Sequence, residues 1–560
     1  MIAIMQSNYK VNSMKRKKLK QLLKYTGLWL IPPIWLVIFL VIIKYKIYEK
    51  SDYLNTTILV GILLSLILML YIYGKNHIHI INGADIDNIG WLDFLDGKPS
   101  RFDTSTGRKQ AMKKTIAKDL LFDTPQGYCF GKDILSNKYV CMPNDINDSP
   151  GILITGGAGS GKSSTQIINY LLNNNVHQEV NALIIDVKGE LADTTLAPTD
   201  DSTIIFAPAN RSSYGYDPFF ELNDESLEHE IYKTMDLISI CLIPRPNGDN
   251  AIWADMARQM FRGLLIYGYK YKKKRNIVDI IALCRSKPIT DLIHDIYEQV
   301  PNTSLCGQDI GAFEGMAEET LYSVYMNMIN AISKITGDSD LSYALGTNPN
   351  KFNPSTLLEK SVDIQIPMHL IEACGQVVFL ILNQTELWIM SLPEFDNQRK
   401  RIAIVWDELT STLSAIHNIG YTPQLLRLGR SKGCRFIGAV QSLDALYGTF
   451  NDDDMVEDFL SNQFAIVFLD AKTKRTQDYI IDNFGTYRKK EESWSGEGSN
   501  RKKTISYKDE NIMERSDLTN LAQSGDVIVI SNRGNFKIKK VPWYKDNYYL
   551  QLYKQIHKGD

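Results

Sequence analysis

The stretch GILITGGAGSGKSSTQIINYLL, beginning at Gly151, admits few folds. Ile152, Leu153 and Ile154 form the short apolar run of a buried strand, and from Gln166 onward Ile167, Ile168, Leu171 and Leu172 recur at helical spacing. Between them Gly156, Gly157, Ala158, Gly159, Ser160, Gly161, Lys162 and Ser163 spell GxxxxGK[ST], with Ser164 following. A strand that turns through glycines into a helix N-terminus is built to hold phosphate. Its backbone N–H groups turn inward and the helix adds partial positive charge. Lys162 is expected to reach the β and γ phosphates and Ser163 to ligate Mg²⁺, so the expected ligands are ATP and Mg²⁺, on residues 156–164. A glycine-rich turn without a ligand is the competing reading, and the full spacing in its strand–helix context disfavours it.

At 560 residues the chain has room for roughly two to four domains. With 62 basic against 64 acidic residues, any nucleic-acid surface must be local. The 7 cysteines contain no CxxC pair and the 8 histidines no HExxH, which argues against a zinc site, a disulfide framework and a metalloprotease.

Two apolar runs stand near the start, 25–43 and 56–74, each free of charge and each just long enough to span a bilayer. A cleaved signal peptide fits the first run poorly, because the run is long and a second follows it. Lys10, Lys15, Arg16, Lys17, Lys18, Lys20 and Lys24 precede the first run with no acidic residue among them, whereas the short connecting loop mixes Lys with Glu49 and Asp52. The positive-inside rule then places both termini, and the phosphate loop, in the cytoplasm.

Beyond residue 75 the segments GYCFG and KYVCM read as small strands. ALIID, ending at Asp186, and TIIFAPA read as strands of a parallel sheet. The pattern then turns helical. Leu227, Ile231, Met235 and Ile238 share one face; Ile252, Met256, Met260 and Leu264 share another; Leu321, Tyr325, Met328 and Ile332 share a third. The charged, glycine-bearing RKKEESWSGEGSNRKKTISYKDE from Arg488 reads as an exposed loop.

After the helices, RIAIVWDELTS offers an apolar strand that delivers Asp407 and Glu408 at its end. Asp407 is expected to hold Mg²⁺ opposite Ser163, and Glu408 to orient and deprotonate an attacking water. In LLRLGRSKGCRFIGAVQS, another buried strand ends at Gln441, where a polar residue can sense the γ-phosphate. Arg430, with Arg427 as its fallback, is either part of a solvated basic turn or an arginine finger that reaches a neighbouring subunit's phosphate.

The order GGAGSGKSS, IIDVKGEL, GYDPF, helical insert, IVWDELTS, LGRSKG and AVQSLDAL resembles the coupling proteins of conjugative type IV secretion systems, the TraG/TraD family of DNA-transfer ATPases. The resemblance implies an α/β fold: a RecA-like P-loop motor domain with an all-α inserted domain, anchored by two N-terminal transmembrane helices. The expected divisions are a basic leader at 1–24, the spans at 25–75, the first motor part at 76–221, the all-α domain at 222–355 and the second motor part at 356–560. It further implies a homo-hexamer at the cytoplasmic membrane that couples a relaxase bound to single-stranded DNA to a type IV secretion channel. An FtsK or HerA type translocase of double-stranded DNA, and a substrate-docking receptor with little turnover, are the alternatives. Two departures from the family stand out: after QVVFLIL only 383–392 remain for a helix that the family runs at full length, and the loop between the spans, Lys44 to Asn55, is too short for the small periplasmic subdomain of some relatives.

Overall fold

The computed structural model describes residues 102–103 and 116–557, apart from 145–150, 188, 198–200, 247, 249, 368–369, 397, 414–420, 451 and 496–501. The leader and both expected spans lie outside the described residues. Among the described residues no helix is long and apolar enough to cross a membrane.

The centre of the molecule is a 12-stranded sheet. Seven of its strands run parallel, in the spatial order Gln463–Phe468, Gly151–Thr155, Cys434–Val440, Arg401–Trp406, Val180–Asp186, Ser361–Gln365 and Thr203–Phe206. Beyond Gln463–Phe468 the pairing turns antiparallel through Asp526–Ser531 and Gly534–Lys539 to the small strands Tyr128–Lys132, Tyr139–Met142 and Leu121–Phe122. The central strands are buried along nearly their whole length, as their unbroken apolar runs require when both sheet faces are covered.

Alternation along each strand sorts side chains into two cores. Ile152, Ile154, Ala182, Ile184, Ala403, Val405, Ile437 and Ala439 face one layer, shared with the helices Ile168–His177 and Asn547–Ile556. Leu153, Leu183, Ile185, Ile402, Ile404, Trp406 and Phe436 face the other. On that side the apolar faces of Glu228–Leu242, Ala251–Ile266 and Glu318–Gly337 join the same continuous core, through Ile231, Met235, Met260, Leu264, Met328 and Ile332 among others. Leu227 and Ile252, expected on those faces, are exposed instead, because each stands at or next to its helix N-terminus. One cation also pins Ala251–Ile266, which carries it, to Glu228–Leu242 and to the short helix Leu305–Gly311. The Arg262 guanidinium grips both oxygens of Asp309 at 2.6 and 2.7 Å and reaches Asp236 at 2.6 Å.

Two sequence expectations need correction. QVVFLIL lies inside a helix and is not a segment preceding one: Ile371–Ser391 is one helix of 21 residues, so the shortening after Leu382 does not exist. The run is nearly all apolar because this part of the helix is buried in the core it shares with Glu228–Leu242 and the sheet residues facing that side. The charged stretch from Arg488 is not a loop but a hairpin, Thr486–Ser495 paired antiparallel with Lys502–Asn511. Cross-strand pairs such as Lys489–Glu510 at 3.1 Å and Arg488–Asp509 at 3.5 Å accompany its ladder, so no apolar alternation announces it.

Within the long helix the Glu386 carboxyl is fully buried, accepting from the Thr422 hydroxyl at 2.5 Å and the Tyr421 N–H at 3.1 Å. Burial pushes its pKa up to about 8, against the lowering effect of those two hydrogen bonds. A carboxyl raised on folding stabilises the fold below its unfolded pKa and loses that contribution as pH rises toward 8. Glu386→Gln is therefore expected to flatten the fall in stability between about pH 5 and 8, so that it exceeds wild type at pH 8. Denaturant midpoints measured across that range check this; parallel curves for the two proteins contradict it.

Candidate functional site

The phosphate loop sits at the C-terminal ends of the parallel strands, clamped from both sides. Gly156 N–H donates to the Val440 carbonyl at 3.1 Å and Leu469 N–H to the Thr155 carbonyl at 2.9 Å. Inside the loop, Ser160 N–H returns to Gly157 O at 3.1 Å, and Thr165 N–H and Oγ1 take Gly161 O at 2.9 and 2.7 Å, which starts the helix. Ser163 and Ser164 lie in a wide first turn, Ser163–Ile167, that continues into Ile168–His177. Gly161 has φ +95°, which only glycine adopts readily, and a Cβ there would stand 3.1 Å from Thr165. Ala158 and Gly159 form the exposed tip.

Lys162 does not project into solvent. Its ammonium donates to Gly156 O at 2.8 Å and lies 3.4 Å from Glu408 Oε1, with only 6% of the side chain exposed. Glu408 arrives on the turn that ends Arg401–Trp406, a turn seated by Asp407 N–H on Ile185 O at 3.1 Å. Ser163 Oγ faces Asp407 Oδ2 at 3.5 Å, and Gln441 Nε2 faces Glu408 Oε2 at 3.5 Å. Both distances are at the outer limit of hydrogen bonding, so these groups are aimed at one another without being tightly joined. Glu408 has φ +57°, a left-handed conformation uncommon for a non-glycine residue. Strain of this kind marks a residue whose direction is imposed by its surroundings.

The residues fit a polyphosphate. Thr155 Oγ1 and Ser160 Oγ are buried without a hydrogen-bond partner among the described residues, and nothing lies within 4 Å of the position a Gly159 Cβ would take. Ser163 Oγ and Asp407 Oδ2 form an all-oxygen pair of the kind a hard divalent cation takes.

Two residues outside the sequence motifs also stand at the loop. Asp470, which follows Gln463–Phe468, is buried, pairs with Lys472 at 3.1 Å, and would lie 3.1 Å from a Cβ on Gly157. Lys540 places its ammonium 3.3 Å from Ser160 O. No local pattern marks either, since an Asp after a strand and a Lys in KIKK are ordinary surface signals. Arg430 is placed elsewhere. It precedes Cys434–Val440 at its N-terminal end, so about 20 Å of strand separates it from this chain's own loop. Arg427, near it, is paired with Asp458 at 2.5 Å. The turn between them and the strand is held by Gly433, at φ +69°, whose missing side chain admits the Phe395 ring.

The family of type IV secretory system conjugative DNA transfer proteins matches residues 104–558. The chain belongs to this family. It is similar to the VirD4 protein of Rhizobium radiobacter, 23% identical over 439 residues, covering 73% of this chain and 59% of that one. It is similar also to VirD4 of Agrobacterium fabrum, 23% identical over 443 residues, 72% of this chain and 60% of that one. The chain thus spans about three fifths of these relatives. Among solved structures, the bacterial conjugative coupling protein TrwB shares the fold, with a TM-score of 0.57 at 16% identity over 78% of this chain and 90% of that one. TrwB in complex with the ATP analogue ADPNP gives 0.55 at 18%, covering 78% and 91%. TrwB with ADP and Mg²⁺ gives 0.53 at 18%, covering 72% and 87%.

The left-handed backbone at Glu408 yields a stability prediction. Glu408→Val, β-branched at a positive φ, is expected to lower stability by about 1–2 kcal/mol more than Glu408→Gly, although both lose the same carboxylate. Denaturation of the two variants checks it; equal midpoints remove the argument from strain.

Proposed function

We propose that the chain is a membrane-anchored ATPase that drives conjugative DNA transfer, joining a relaxase bound to single-stranded DNA to a type IV secretion channel and working as a homo-hexamer. The observation that carries the reading is the convergence of Lys162, Ser163, Asp407, Glu408 and Gln441 at the phosphate loop, from three different strand ends. Family membership supports the transfer role, and TrwB's capture with ADPNP, and with ADP and Mg²⁺, supports the ligands. The two apolar runs at 25–43 and 56–74 support a cytoplasmic-membrane location with both termini inside.

In this reading Lys162 exchanges its contacts with Gly156 O and Glu408 for phosphate oxygens, and the released Glu408 becomes free to accept a proton from the attacking water. Gln441, aimed at Glu408, holds that carboxylate in line and reads the γ-phosphate. Ser163 and Asp407 would hold Mg²⁺, which neutralises phosphate charge when bound. Arg430 cannot serve its own subunit's loop across the sheet, so its proposed role is in trans, on the neighbour's phosphate.

The densest basic cluster among the helices, Lys270, Lys272, Lys273, Lys274 and Arg275, is proposed to contact the DNA backbone, and within it the middle three are the ones not committed to a carboxylate in the described residues. Lys270 lies 3.3 Å from Glu228, and Arg275 is paired with Asp224.

ATP turnover by the purified full chain, with and without single-stranded DNA, tests the reading. Lys162→Ala is expected to abolish turnover through loss of phosphate binding. Glu408→Gln should bind ATP yet hydrolyse it roughly 10²–10⁴-fold more slowly. Turnover undiminished in Lys162→Ala excludes this loop from the chemistry, and loss of binding in Glu408→Gln makes that residue structural. Neutralising Lys272, Lys273 and Lys274 is expected to weaken single-stranded DNA binding and to flatten its log–log salt dependence by about 0.7 for each phosphate no longer neutralised. An unchanged slope moves the DNA surface elsewhere.

A further inference from the structure

Lys540 lies just past the strand Gly534–Lys539, and its side chain turns inward to the phosphate loop. Its ammonium donates to three main-chain carbonyls: Leu469 at 3.1 Å, Ala522 at 3.1 Å and Ser160 at 3.3 Å. An ammonium has three protons, and three acceptors use them all. The neighbouring lysines do different work, since Lys537 and Lys539 both pair with Asp526. Lys540 alone of the three is committed to backbone, and one of its partners is the residue just before Gly161 and Lys162.

The consequence lies in the peptide unit that joins Ser160 to Gly161. All peptide bonds described are trans, and in a trans peptide the C=O and the N–H point in opposite directions. Holding Ser160 O toward Lys540 therefore aims Gly161 N–H the other way, toward the loop's phosphate side. Gly161, at φ +95° and without a Cβ, has the freedom to let this peptide turn over. We propose that Lys540 is a positioning residue for nucleotide binding, which locks the Ser160–Gly161 peptide so that its N–H faces phosphate and ties the loop to the C-terminal part of the chain. The tie is anchored at its far end, where Lys540 N–H donates to Gly525 O at 2.8 Å and Leu469 N–H binds the strand that feeds the loop. Burial holds the Lys540 pKa below the ordinary lysine value, partly countered by Asp470 and Asp526. Its positive charge sits just behind the loop, where it also favours bound phosphate.

The inference rests on the ATP reading of this site, and the experiment separates the two. The full chain in detergent is titrated with a fluorescent non-hydrolysable ATP analogue and, in competition, with inorganic triphosphate. The proteins compared are wild type, Lys162→Ala, Lys540→Met and Lys540→Arg, with unliganded melting followed in parallel. Lys540→Met, which keeps the stem and loses every donor, is expected to bind both ligands roughly 10–100-fold more weakly, the range for a hydrogen bond from a charged group. Its melting without ligand is expected to drop while the protein stays folded at the titration temperature, and Lys540→Arg should recover part of the affinity. Wild-type affinity in Lys540→Met overturns the proposal, as does a loss confined to the nucleotide and absent for triphosphate. If Lys540→Met fails to fold, Lys540→Arg decides: a folded Arg variant with unchanged affinity for both ligands overturns the proposal, and weakened binding of both sustains it. Absence of binding by wild type itself sinks the nucleotide reading and this inference together.

Discussion

The site depends on one packing choice, the placement of Cys434–Val440 between the strand that feeds the phosphate loop and the strand that carries the two carboxylates. Neighbouring strands lie about 4.8 Å apart, so this arrangement separates the loop from the carboxylate turn by about 10 Å at their bases. Side chains of the length of Lys162 and Glu408 can meet across that gap and still leave room for a ligand between their backbones. The strand in the middle does more than keep distance. Its last carbonyl, Val440 O, holds Gly156, and the residue that follows it, Gln441, faces Glu408.

That geometry carries a cost that the surrounding core absorbs. Lys162 and Glu408 form a nearly buried ion pair at the rim of a sheet whose strands are otherwise apolar. Such pairs contribute little net stability, because desolvation offsets their attraction, and Glu408 is held in a disfavoured backbone conformation as well. Two dry layers of core, one on each sheet face, keep the strand ends from relaxing out of this arrangement. The helices at 228–345 take part in one of those layers, so motion at their junction with the sheet is coupled to the same core that supports the loop.

The parts of the fold visible in the sequence are those with local signatures. Continuous apolar runs marked Gly151–Thr155, Val180–Asp186, Arg401–Trp406 and Cys434–Val440 as central strands, and 3.6-residue periodicity marked the helices at 228–337. The glycines, Lys162 and Ser163 were legible because phosphate binding needs them at fixed spacing in one turn. Where the local signal was missing or ambiguous the reading failed. The sequence of the hairpin from Thr486 is dominated by charged residues, and the helix Ile371–Ser391 is buried all round from Cys374 to Glu386, so neither shows the amphipathic period that identifies an element.

What neighbours along the chain carry could thus be read from residue types and spacing: which loop has the glycines and lysine that a phosphate site would need, and which carboxylates end a strand. The tertiary structure alone decided which distant groups meet there. Ser163 and Asp407 are 244 residues apart, and Lys540 is 380 residues from Ser160. The order of parallel strands, which no strand's own sequence encodes, put Gln441 beside Glu408, while Arg430, ahead of the same central strand, lies at the opposite end of the sheet's strands. Strand order is settled by how two cores close over the whole sheet, a property of all the residues in those layers together, and the contacts at the loop follow from it.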